Sequence, residues 1–226
     1  MRNVETFSAG REQSALATNK LIRNTYMLLG MTLVFSAVTA GISMAMNPPF
    51  LVYIGSVIGS FIMLFILNRK QNSAAALPLV FLFTGMMGFG LGPLLNHYLG
   101  LANGGQIIMT ALSMTALTFL GLSAYVMTSK KDFSFMGGFL SAGLMVGLIA
   151  MVALFVLPMF GVDVSGMHMA FSAFIVLLMA GFILYDTSNI VNGHYTNYIM
   201  ATVSLYLNIY NLFINLLMLI GVLNED

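Results

Sequence analysis

Residues 134–158 read SFMGGFLSAGLMVGLIAMVALFVLP and contain no charged side chain. A helix crosses the hydrocarbon core of a bilayer with about 20 consecutive apolar residues, and this run is longer. Six runs of the same character flank it, at 24–46, 50–67, 77–99, 106–128, 167–190 and 198–222. Apolar residues make up 59% of the 226-residue chain and charged residues only 7%, against about 25% charged in a soluble domain. So few charges cannot cover a water-facing surface. Backbone groups in lipid must be satisfied within the spanning element, and no alternating ten-residue segments of a β-barrel are visible. The expected fold is an all-α integral membrane protein, a seven-transmembrane-helix bundle. Residues 1–23 form a polar N-terminal arm and residues 24–226 the bundle.

The breaks between runs carry turn chemistry: Asn47-Pro48-Pro49, then 68–73, 100–105, 129–132, 158–166 and 192–196. Each is short, so consecutive helices are expected to be antiparallel neighbours. The arm carries Arg2, Glu5, Arg11, Glu12, Lys20 and Arg23 and lacks the short apolar core of a cleavable signal. The first apolar run is expected to stay as an anchor. Arg69-Lys70 and Lys130-Lys131 are the other basic residues. All eight fall on one side of the bilayer if the N-terminus is cytoplasmic. Seven spans then put Glu225 and Asp226 outside; six spans plus a re-entrant last segment is the alternative. A net charge of +1 offers no field for nucleic acid, and the absence of Cys removes thiol chemistry.

Polar residues inside the spans mark candidate sites. Asp186 is the only acid placed within a span, about four residues or 6 Å from its basic end at 1.5 Å per residue. A carboxylate at mid-bilayer costs about 2.5–3.5 kcal/mol on insertion scales. Either Asp186 reaches interfacial water, or it lies in a polar pocket with Thr187, Ser188 and Asn189 and contacts an ion or titrates. Ser204, Asn208, Asn211 and Asn215 are spaced 4, 3 and 4 and share one face of the last span. That face should point into the bundle. Ser204 and Asn208 are the candidates for contact with Asp186, whereas Asn211 and Asn215 read equally well as interhelical glue. Arg69 is either a counter-charge for Asp186 or a plain interfacial anchor. The glycines 85, 88, 90 and 92 followed by Pro93, and Gly55 with Gly59, read as close helix packing.

An intramembrane serine protease would pair Ser123, in Gly121-Leu122-Ser123, with His168. Their positions along parallel spans separate them by about 24 Å at 1.5 Å per residue, where a dyad needs about 3 Å. His97 and His194 sit near opposite faces and form no metal set with His168. Nothing asks for a cofactor.

The run Ile183-Leu184-Tyr185-Asp186-Thr187-Ser188-Asn189-Ile190 resembles the sixth-helix motif of the Bax inhibitor-1 family, also called the transmembrane Bax inhibitor motif family. Asn197-Tyr198-Ile199, Ala201, Leu205-Tyr206-Leu207, Asn211-Leu212-Phe213 and Leu216-Leu217 resemble its last helix. Thr84-Gly85 with Gly92-Pro93-Leu94-Leu95-Asn96 resembles its third. Arg23-Asn24-Thr25-Tyr26 and Ala124-Tyr125-Val126 before Lys130-Lys131-Asp132 resemble the bacterial YccA branch. The resemblance implies a bundle with the last helix central, in a bacterial inner membrane. It also implies a regulator, not an enzyme, that binds an FtsH-type membrane protease and its associated membrane proteins. A paired aspartate in some family members implies the alternative, a pH-sensitive calcium leak. Asp186 matches the first member of that pair and Asn208 stands at the second, which is a departure from two carboxylates sharing a proton.

Overall fold

The computed structural model describes residues 2–224; Glu225 and Asp226 lie outside it, as do the side chains of residues 1–15 and Ser165. The backbone forms seven long helices: α1 (Arg2–Met46), α2 (Leu51–Lys70), α3 (Ala76–Leu99), α4 (Gly104–Ser129), α5 (Gly137–Val156), α6 (Ser165–Val191) and α7 (Tyr198–Leu223). Short 3₁₀ turns, Ser134–Met136 and Leu157–Phe160, flank α5. Seven segments are long and apolar enough to span a membrane, the first being Leu16–Met46. The last is a full helix of 26 residues, so α7 is long enough to cross and need not re-enter. α1 runs without a break through the sequence boundary at 23/24. The arm residues Arg2, Glu5, Arg11 and Glu12 lie outside the described side chains.

Helix ends follow local chemistry. Asn47 ends α1 with φ 47°, a left-handed conformation that Asn tolerates, and Pro48-Pro49 prevent continuation. Gly193 closes α6 with φ 74°. Asn197 caps α7 by accepting from the N–H groups of Ile199 and Met200 at 2.8 and 3.3 Å, which satisfies two donors that a helix start leaves open.

α7 and α3 are the interior helices. In their most apolar windows 67% and 61% of residues are buried, against 11% for α2 and 17% for α5. Leu205, Tyr206, Leu212 and Leu217 of α7 are almost wholly enclosed. α7 packs on α6, α4, α1 and α3, while α2 packs on α3 and α5 on α6. Phe61, Phe65, Phe139 and Phe155 of the two outer helices stay exposed, as a lipid-facing surface requires.

Short breaks did not make every consecutive pair neighbours. The main partner of α1 is α3, and α4 packs on α7 and α6 in place of α5. The cause lies in α3. Gly88 sits on the Ser36 carbonyl and Thr39, and Gly92 on Ser43, so α1 and α3 approach more closely than side chains would permit. On the other side of α3, Gly90 faces Ser56 and Met86 lies against Gly59 of α2. α3 is thus clasped between α1 and α2. Gly55 meets nothing and takes no part in packing. The Tyr206 hydroxyl joins three helices, lying 2.7 Å from Ser36 Oγ and donating to the Thr84 carbonyl at 3.3 Å.

Candidate functional site

Asp186 lies in the last two turns of α6 and is 2% exposed. Its carboxylate receives three donors. Ser204 Oγ and Asn208 Nδ2 of α7 donate to Oδ2 at 2.6 and 2.7 Å, and Tyr195 Oη donates to Oδ1 at 3.0 Å. Ser204 and Asn208 are four apart, so both point at α6 from one face of α7. Asp186 is therefore enclosed and hydrogen-bonded; it does not reach water.

Tyr195 comes from the turn between α6 and α7, and the sequence reading passed it over. The turn folds back because the His194 and Tyr195 N–H groups both donate to the Asn189 carbonyl, at 2.8 and 3.3 Å. The His194 ring adds a bond of 3.0 Å from Nδ1 to Asn189 Oδ1. This return brings the phenol over a residue nine positions earlier. Burial, then the Asp186 charge, raises the Tyr195 pKa above its ordinary value, so the hydroxyl remains a donor. A tyrosine just past a helix end, followed by an Asn cap, was the available signal.

Neighbours of Asp186 extend the polar layer. Thr187 Oγ1 lies 3.3 Å from Ser123 Oγ of α4 and 3.4 Å from Tyr26 Oη of α1. Ser188 Oγ accepts from the Phe133 N–H at 2.8 Å and from Asn192 Nδ2 at 3.1 Å, tying the turn after α4 to α6. Asp132 in that turn has its pKa lowered, chiefly by the Ser134 backbone N–H. Ser123 thus belongs to a structural hydroxyl layer. His168 lies at the far end of α6, 19 residues before Thr187 and about 28 Å away at 1.5 Å per residue.

At two places the sequence left alternatives open. Arg69 is not a counter-charge to Asp186: its guanidinium lies 4.5 Å over the Phe65 ring. Residues 65 and 69 share one exposed face of α2, and Arg69 is exposed there. Asn211 and Asn215 are not interhelical glue, because each donates at 2.8 Å to the carbonyl four residues earlier in α7. A side-chain amide can satisfy itself on its own helix, and spacing alone does not distinguish the two uses.

The site is a lock between α6 and α7 built on an acceptor-only group. Asn208 directs its amide nitrogen at Asp186, so a single carboxylate occupies the position of an acid pair. A calcium ion takes about six to eight oxygen ligands. Among the described residues no three His, Cys, Asp or Glu side chains are grouped to hold a metal.

A seven-helix membrane bundle with one acid buried between its last two helices defines the class of protein. Residues 18–225 match the family model described as "Inhibitor of apoptosis-promoting Bax1", and the chain belongs to the Bax inhibitor-1 family. It is 45% identical over 213 residues to the Escherichia coli K12 protein named "Modulator of FtsH protease YccA", covering 94% of each chain. The counterpart in a second E. coli strain is named "Inner membrane protein YccA". An uncharacterised membrane protein of Vibrio cholerae is 46% identical over 216 residues, covering 95% of this chain and 94% of its own.

Proposed function

We propose that this chain is a non-enzymatic inner-membrane regulator that binds and modulates an FtsH-type protease. The observation that carries this reading is the 45% identity, over 94% of both chains, to a protein named as a modulator of that protease. The physical mechanism is helix-to-helix docking within the bilayer. The exposed faces of α2 and α5 supply apolar surface for it, and the Asp186 lock keeps α6 and α7 in one arrangement behind them. The arm, 1–23, is presented to the protease on the cytoplasmic side. The test is co-reconstitution of the full chain with an FtsH-type protease in liposomes, following degradation of a membrane substrate. A changed degradation rate, with the two proteins co-purifying in mild detergent, supports the proposal. An unchanged rate with no co-purification sinks it.

The rival is a calcium leak gated around Asp186. The observation favouring it is that positions 186 and 208 do face each other, as an acid pair would. With an amide at 208 there is no second carboxylate to share a proton or to ligate an ion. Calcium flux in proteoliposomes across pH should be negligible for the wild type and should rise in Asn208→Asp. A steep wild-type flux lost in Asp186→Asn would favour the channel instead.

A further inference from the structure

α2 stops and α3 starts across a tight turn, and the turn borders an open surface cavity of about 620 Å³ lined by Arg69, Lys70, Asn72, Ser73, Ala74 and Ala75, all of them exposed. Two cations line this cavity and no acid does. Among the described residues neither cation has an ion pair, and the Arg69 guanidinium lies over the face of Phe65. A guanidinium stacked on a ring keeps its in-plane N–H donors available.

The cavity wall is held in place. Gln71 Nε2 donates to the Asn68 carbonyl and side chain at 3.0 and 3.1 Å. Ser73 donates through N and Oγ to the Lys70 carbonyl at 2.9 and 2.8 Å. From the start of α7, Asn197 Nδ2 donates to the Gln71 carbonyl and to Asn72 Oδ1, both at 2.9 Å. Beside the cavity Phe61, Ile62 and Phe65 lie exposed along α2. An open recess carrying two exposed cations beside an exposed apolar strip has the chemistry of an amphiphile site, with an anionic head in the recess and acyl chains along the strip.

We propose that this cavity binds the phosphate-bearing headgroup of an anionic phospholipid. Arg69 offers two parallel N–H groups to phosphate oxygens, and Lys70 adds a point charge. A bound headgroup would touch Asn72, whose side chain is joined to the cap of α7. Occupancy therefore bears on α7, whose Ser204 and Asn208 donate to Asp186 in α6.

The test measures phosphatidylglycerol binding to the full chain in neutral detergent by native mass spectrometry, with phosphatidylcholine as the neutral control. The wild type should retain phosphatidylglycerol preferentially. Arg69→Gln with Lys70→Gln should weaken binding about tenfold or more. Lys130→Gln with Lys131→Gln removes the same charge from another turn at the same end and should change binding less than about twofold. Ala74→Glu keeps both cations but sets a carboxylate in the cavity wall, and it should abolish retention. Inorganic phosphate alone should not raise the melting temperature. Equal losses in the two double variants would mean diffuse charge attraction and overturn the proposal. Retention unaffected by Arg69→Gln with Lys70→Gln, or by Ala74→Glu, would also overturn it. Stabilisation by phosphate matching that by the lipid would assign the cavity to a free anion instead.

Discussion

Asp186 accepts from a serine, an asparagine and a tyrosine, so the site distinguishes an isostere from a truncation. In Asp186→Asn the amide oxygen can keep Ser204 and Asn208, while the new NH₂ faces the Tyr195 hydroxyl, which can turn to accept. That variant should insert and melt within about 1 kcal/mol of the wild type. Asp186→Ala leaves one buried and two half-buried donors without an acceptor and should cost about 2–3 kcal/mol. Denaturant unfolding in mild detergent would separate the two, and equal losses would contradict the lock. Tyr195 adds an alkaline signature. Its pKa is raised by burial and then by the Asp186 charge. A raised folded-state value means full stability below the unfolded pKa and loss as pH rises past it. Melting temperature should fall above about pH 10, less steeply in Tyr195→Phe, and parallel curves would refute the assignment. Ser204 and Asn208 were legible because a spacing of four on a helix forces a shared face. Tyr195 was not, since its approach depends on a turn closed by Asn189.

At the level of elements, glycine counts were legible and glycine roles were not. Gly55 and Gly59 have the spacing of a packing motif, yet a methyl at Gly55 would meet nothing. Gly88 and Gly92 have the same spacing, and there a methyl would strike Ser36, Thr39 and Ser43 of α1. The sequence contains both patterns; only the partner surface tells them apart. Gly55→Ala should be neutral or stabilising by up to about 1 kcal/mol, the helix propensity gain. Gly88→Ala must push α1 from α3 and should cost about 1–3 kcal/mol. Thermal unfolding of the two variants checks this contrast, and a Gly88→Ala protein as stable as the wild type would show that the clasp can relax. The same clasp explains why a short break after α1 did not dictate its neighbour: the Asn-Pro-Pro turn sends α2 past α3 to the far side. Apolar run lengths fix where helices lie along the chain, because crossing the bilayer depends on length. Which helices touch depends on shape.

At the scale of the whole molecule, orientation and the arm meet at one end of the bundle. Arg69-Lys70, Lys130-Lys131, Lys20 and Arg23 gather where the α2–α3 turn meets Asn197 and the turn after α4 meets Ser188. That arrangement follows from packing and holds whichever way the bundle is inserted. Under the proposed topology the positive-inside bias puts this end in the cytoplasm. A reporter fused after Asp226 should read external, and a cytoplasmic reading would reject the topology. The arm lies on the same side. It is polar enough to remain in water, and Thr18 near its end already lies by Gly193 in the turn that presents Tyr195. Removing residues 1–15 keeps Thr18 and every described contact of the bundle, so insertion and melting temperature should be unchanged. A protease that pulls substrates from the membrane engages an accessible terminus, so the truncated chain should live longer in cells. Its effect on degradation of other substrates should also change, because the protease would meet the bundle without the arm. A calcium leak confined to the bundle would be indifferent to the same truncation. Lifetime and substrate degradation measured together therefore separate the two functions, and a truncated chain unchanged in both would remove the arm from the mechanism and leave docking to the helices alone.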